Sequence, residues 1–123
     1  MSTGKKFEEL VEIVAKLRRE CPWDREQTFE TLKPFLIEEV HEAIEAIDNK
    51  DYKHLAEEVG DMLLHVVMLG AIAAEKKHFK IDDVIEGIGA KMIRRHPHVF
   101  GKAKAKNSKE VLKLWEKIKK TEK

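Results

Sequence analysis

Two carboxylate clusters, Glu38-Glu39-x-x-Glu42 and Glu57-Glu58-x-x-Asp61, stand in sequence that is otherwise apolar and patterned for helix. Side chains at i and i+3 project from the same side of a helix, so two such helices packed antiparallel bring four carboxylates into one small volume. Like charges gathered in this way repel unless a cation joins them. An oxygen-only ligand set suits a hard ion such as Mg2+ or Mn2+, and a Mg2+ held by carboxylates completes its shell with water and substrate phosphates. The pattern points to metal-dependent phosphate chemistry.

The placement of these side chains follows from the ~100° turn per residue of an α-helix. It puts Ile37, Val40, Ile44 and Ile47 on one arc, expected to be the packed face, with Glu39 at its edge and Glu42 just beyond. Glu38 and Glu45 point further out. On the next helix, Glu58 falls inside the arc of Leu55, Met62, Val66 and Leu69, and Asp61 flanks it. A carboxylate in such a position is costly without a partner, which favours a cation site over ordinary solvent-facing acids. The competing reading is an ion-pair cluster neutralised by a bridging lysine or arginine. A di-iron centre needs inward-facing Glu-x-x-His pairs on two helices; Glu38-x-x-His41 has that form but points away from the apolar arc.

The elements that must position these groups are helices. Phe7, Leu10, Val11, Val14 and Leu17 predict a first helix ending near Glu20, interrupted by Cys21-Pro22-Trp23-Asp24. A second stretch begins at Thr28 and runs to Asp48-Asn49; Pro34 suggests that residues 28–33 form a separate turn before the main helix. A third runs from Tyr52 to about Lys76 and is apolar nearly all round in its later half, so it is expected to be buried on several sides or shared with a second subunit. Asp82 is the expected N-cap of a helix reaching Arg95, residues 96–101 read as a loop, and Ser108 is placed as the cap of a last helix carrying Val111, Leu112, Trp115 and Ile118. With no period-two alternation, the chain reads as all-α, a single domain over residues 1–123.

Bulk properties exclude several classes. At 123 residues, 42% apolar and 38% charged, the chain has the balance of a globular helical protein, and it contains no apolar run long enough to span a membrane. Its N-terminal residues lack a secretory core, and Cys21 has no cysteine partner, so a reduced cytoplasmic setting is expected. The net charge of +1 gives no global reason to bind nucleic acid, although residues 102–123 hold nine lysines against three glutamates. Cys21 has no base partner for a nucleophilic role, and the six histidines have no spacing that demands zinc.

Four motifs in order then resemble the MazG nucleoside triphosphate pyrophosphohydrolases, part of the all-α NTP pyrophosphatase superfamily. They are Cys21-Pro-Trp-Asp24 with Gln27-Thr28, Glu38-Glu39-x-x-Glu42 with Glu58-x-x-Asp61, Lys91-x-x-Arg94-Arg95-His-Pro-His-Val-Phe100, and Trp115-Glu-Lys-Ile-Lys119. The resemblance spans nearly the whole chain. It implies a helical bundle of about five helices that oligomerises through them. It also implies Mg2+-dependent cleavage of a (deoxy)nucleoside triphosphate between the α and β phosphates, for control or sanitation of nucleotide pools, by a homodimer or homotetramer; Mn2+ is an expected substitute.

Carried onto this chain, the resemblance makes Glu39, Glu42, Glu58 and Asp61 the metal ligands and Glu38 a water-orienting carboxylate. Lys91 and Arg95, at i and i+4 on one helix face, are placed to clamp the triphosphate, with Arg94 turned aside toward the substrate or a carboxylate. Trp115 and Lys119 form a similar pair near the nucleotide, and Trp23 and Asp24 border the substrate. Some members carry two tandem copies of the domain; this chain carries one, with its acidic quartet intact. The alternative is a non-catalytic oligomeric regulatory module whose carboxylates hold a metal or a basic partner.

Overall fold

The computed structural model describes residues 1–122, and every regular element among them is helical. Five long helices and two single turns follow in order: α1 (Thr3–Glu20), α2 (Pro22–Glu26), α3 (Phe29–Asp48), α4 (Tyr52–Glu75), α5 (Ile81–Arg95), α6 (Pro97–Phe100) and α7 (Ser108–Thr121). The chain divides into two compact units, residues 1–81 and the part from Asp82 onward.

In the first unit each helix has a sequence-encoded start and stop. Ser2 caps α1 by accepting the Lys5 backbone N–H at 3.1 Å. Cys21 precedes a proline, which disfavours helical backbone, so it is extended; Pro22, having no N–H to satisfy, opens α2. Thr28 and Thr31 form a reciprocal capping box at the start of α3. The expected break at Pro34 does not occur, and α3 is continuous from Phe29. Proline removes only the hydrogen bond to the Glu30 carbonyl, and both residues are exposed, so the loss falls on the solvent side of the helix.

The α3–α4 connection is only three residues, Asn49–Asp51, which forces the two helices antiparallel. Lys50 takes a left-handed φ of 54°, letting the Asp51 N–H reach the Ala46 carbonyl at 3.0 Å, and Asp51 then caps α4 through the His54 N–H. Val14 of α1, Leu32 of α3, and Val67, Met68 and Ile72 of α4 make the buried core. Each such side chain contributes roughly 1.5–3 kcal/mol by leaving water. Arg18 closes the unit from one end. Its guanidinium donates to the Asp24 carbonyl at 2.6 Å and the Gln27 carbonyl at 2.9 Å, and it pairs with Glu75 of α4 at 2.6–2.8 Å.

One expectation about α3 is overturned. Ile37, Val40, Ile44 and Ile47 are exposed in the first unit, and the packed face is instead Leu32, Ala43 and Ala46, with half-buried Phe35 and Glu39 in the same stripe. Small residues let α4 approach closely, whereas the branched side chains project outward. On α4, Val59, Leu63 and Val66 are likewise exposed, while Glu58 is buried as expected.

In the second unit, α5 begins at Ile81, so Asp82 lies inside the first turn with Asp83 rather than capping it; both charges suit the positive end of the helix dipole. Residues 97–100 form a helical turn inside the expected loop. Asn107, not Ser108, caps α7, its side chain accepting the Glu110 N–H at 3.0 Å. No helix of the described residues is long and apolar enough to cross a membrane.

Candidate metal centre

Antiparallel packing of α3 on α4 brings the two acidic motifs together. Glu39, Glu58 and Asp61 each offer one carboxylate oxygen, and these oxygens lie within 4.8 Å of one another. Opposite ligands of one ion are about 4.2 Å apart around Mg2+ and about 5 Å apart around Ca2+, so the span matches a single hard cation. Glu42 joins the group through a close contact with Glu58.

The setting is dry for charge. Glu58 is 5% exposed, and the Oε2 atoms of both Glu39 and Glu58 are buried with no hydrogen-bond partner. Burial first, and then the charges of Asp61, Glu42 and Glu38, hold the Glu39 carboxyl above the ordinary carboxylate range. The Glu42 carboxyl is raised first by its contact with Glu58, then by burial and the neighbouring charges. Among the described residues no lysine or arginine is paired with any of the four. Buried, unpartnered, hard oxygen atoms on residues whose carboxylates cluster fit a divalent cation.

Two imidazoles flank the cluster, and neither was expected from the sequence as a site residue. His54 Nε2 lies 3.3 Å from Glu58 Oε1, and His65 Nε2 lies 4.0 Å from Glu39 Oε1. A signal for them exists in the spacing: His54, Glu58, Asp61 and His65 recur at four, three and four residues, one continuous face of α4. Phe35, Glu39 and Glu42 repeat the same spacing on α3. Glu38 is exposed beside Glu39. Trp23 is half-exposed on α2, its ring edge-on to Phe35 with centroids 5.8 Å apart, and Asp24 offers its carbonyl to Arg18.

The expected phosphate contacts belong to the second unit. Lys91 is half-buried on α5. Arg94 pairs with Glu122 through Nε, and Arg95 reaches the same carboxylate with Nη2 at 2.8 Å and Nε at 3.2 Å. The two guanidiniums pull the Glu122 carboxyl down to about 2. Arg95 also lies 5.2 Å over the Trp115 ring, and His96 meets that ring edge-on. Lys119 is exposed on α7. A groove of about 670 Å³ between α1 and α4, lined by Val11, Ala15, Arg18, Val67, Gly70 and Glu75, is not lined by Glu39, Glu42, Glu58 or Asp61.

Comparison with known proteins supports the family resemblance. The MazG nucleotide pyrophosphohydrolase domain matches residues 27–100, which include the acidic quartet, Lys91, Arg94 and Arg95. Over 119 residues the chain is 53% identical to the nucleoside triphosphate pyrophosphohydrolase/pyrophosphatase MazG of Thermotoga maritima, covering 95% of this chain and 45% of that protein. It is 43% identical over 116 residues to the nucleoside triphosphate pyrophosphohydrolase of Escherichia coli K12, covering 92% of this chain and 44% of that protein. The chain thus spans less than half the length of these curated relatives. A crystal structure of a mazG-related protein from Thermotoga maritima superposes with a TM-score of 0.79 at 32% identity, covering 92% of this chain and 98% of that one. The chain belongs to the MazG nucleotide pyrophosphohydrolase domain family.

Proposed function

We propose that the chain is a Mg2+-dependent nucleoside triphosphate pyrophosphohydrolase that releases a nucleoside monophosphate and pyrophosphate, with Mn2+ able to replace Mg2+. The observation that carries this reading is that Glu39, Glu58 and Asp61 bring carboxylate oxygens within 4.8 Å of one another, while Glu39 and Glu58 each keep a buried oxygen without a partner. Membership of a family whose relatives are named for this reaction supports it.

Glu39, Glu42, Glu58 and Asp61 would hold the ion. When bound, a divalent cation neutralises charge on phosphate oxygens and lowers the pKa of a coordinated water. Glu38, exposed next to Glu39, orients the attacking water and draws its proton away. Water adds across the α–β anhydride, and the bond from phosphorus to the bridging oxygen breaks. Lys91 and Arg95 bind the non-bridging oxygens, for which Arg95 exchanges the Glu122 carboxylate for phosphate. Arg94 supports that exchange. Trp115 and Lys119 contact the nucleoside end, and Trp23 and Asp24 border it.

The exposed stripes of α3 and α4 are the basis for proposing a homodimer or homotetramer, and a lone cysteine fits a cytoplasmic setting. The reading is tested by ion-exchange analysis of products from a panel of ribo- and deoxynucleoside triphosphates, with Mg2+ and with EDTA. Monophosphate and pyrophosphate formed only with metal are the expected products. No turnover across the panel would favour a binding module instead.

A further inference from the structure

Glu39 of the carboxylate cluster shares a face of its helix with a phenyl ring one turn away, Phe35. That ring lies nearly parallel to the His65 imidazole of α4, at 22° with centroids 6.3 Å apart. His65 in turn presents Nε2 to Glu39 Oε1 at 4.0 Å, and the two side chains are 12% and 15% exposed. Behind Phe35, Trp23 packs edge-on, and its carbonyl is held at 2.9 Å by the buried Gln27 amide. The imidazole is therefore confined in plane and in position by packing that begins in α2 and ends at Glu39.

The two oxygens of Glu39 consequently have different surroundings. Oε1 faces the imidazole at ion-pair range, whereas Oε2 is buried and unpartnered. We propose that His65 is a positioning residue: it engages Glu39 Oε1 and so fixes the carboxylate with Oε2 turned toward the cation. The step from 4.0 Å to a hydrogen bond is about 1 Å, within reach of a small χ rotation. Partners of this kind, which hold a ligating group rather than the metal, typically change metal affinity or activity by about 10–100-fold. His54 does not have the same role on the facing cluster. It is half-exposed, and nothing stacks on its ring among the described residues, so it is free to leave Glu58.

This inference rests on the proposed cation site, and its test separates the two. Mn2+ binding to the full chain, with no nucleotide present, is measured by the loss of the free-ion electron paramagnetic resonance signal. His65→Phe keeps the ring packed on Phe35 and removes both nitrogens; it should weaken Mn2+ binding by roughly 10–100-fold with an unchanged melting temperature in EDTA. His65→Gln, which restores a donor near Nε2, should recover most of that loss. Phe35→Leu, which leaves the imidazole but frees its plane, should give an intermediate weakening. If the parent chain binds Mn2+, Glu58→Gln does not, and His65→Phe binds within about twofold of the parent, the positioning role is wrong and the site stands. If the parent chain does not bind Mn2+, both are wrong.

Discussion

Glu58 carries two burdens at the scale of single residues: it is buried in the first unit, and it stands beside three other carboxylates. Function and stability should therefore oppose each other there. Glu58→Gln keeps the shape, removes a charge from a dry cluster, and supplies an amide that can donate to Glu39 and Glu42. Without metal the variant should be more stable than the parent by about 1 kcal/mol, read from thermal melts in EDTA. In the same protein, Mg2+-dependent turnover should fall by more than about 100-fold, beyond what loss of an outer partner produces. A variant that is both less stable in EDTA and fully active would contradict the assignment of Glu58. That the two acidic motifs meet was legible in the sequence, because carboxylates at i and i+3 on two antiparallel helices share a face. His65 was not, because a lone histidine on an apolar helix is an ordinary core residue until Phe35 and Glu39 are seen across from it.

Helix boundaries show what periodicity does and does not encode. The starts of α3 and α4 are set by the caps Thr28 and Asp51, and five helical stretches were readable in the sequence, although Pro34 suggested a break that α3 does not have. Which arc of α3 faces inward was not, because branched residues make a stronger apolar arc than the alanines that in fact pack. Burial depends on how closely two backbones approach, and small residues set that distance without a strong signal of their own. In the second unit, α5 and the segment after α7 are tied by the Arg94, Arg95 and Glu122 cluster. The Glu122 carboxyl is depressed to about 2, so its pairing is fully present above the usual carboxylate range and is lost as pH falls through about 2. In carbon-13-labelled protein, the Glu122 side-chain carboxyl resonance should hold steady from about pH 7 down to about 4 and shift only below about 3. A transition centred near pH ~4.5 would show that the guanidiniums do not hold this carboxylate.

On the scale of the whole molecule, the exposed Ile37, Val40, Ile44 and Ile47 of α3 and the exposed Val59, Leu63 and Val66 of α4 are too many branched side chains to leave in water. A second copy of the chain is the partner proposed for them. Ile44→Glu should convert the assembly to monomer in sedimentation velocity, with helix content retained; a parent chain that is already monomeric at micromolar concentration would leave these stripes without that partner. The net charge of +1 spread over 24 basic and 23 acidic residues gives no general attraction for polyanions, so affinity for the proposed triphosphate would come from local groups and from the proposed cation. Every role proposed for the carboxylates and the guanidiniums converges on one reaction. It is observed most directly by 31P nuclear magnetic resonance of a nucleoside triphosphate incubated with the chain. A pyrophosphate resonance and a monophosphate resonance should grow in equal amount with Mg2+, and the triphosphate should stay unchanged in EDTA. Orthophosphate with diphosphate, or turnover that persists in EDTA, would contradict metal-dependent cleavage at the α–β anhydride.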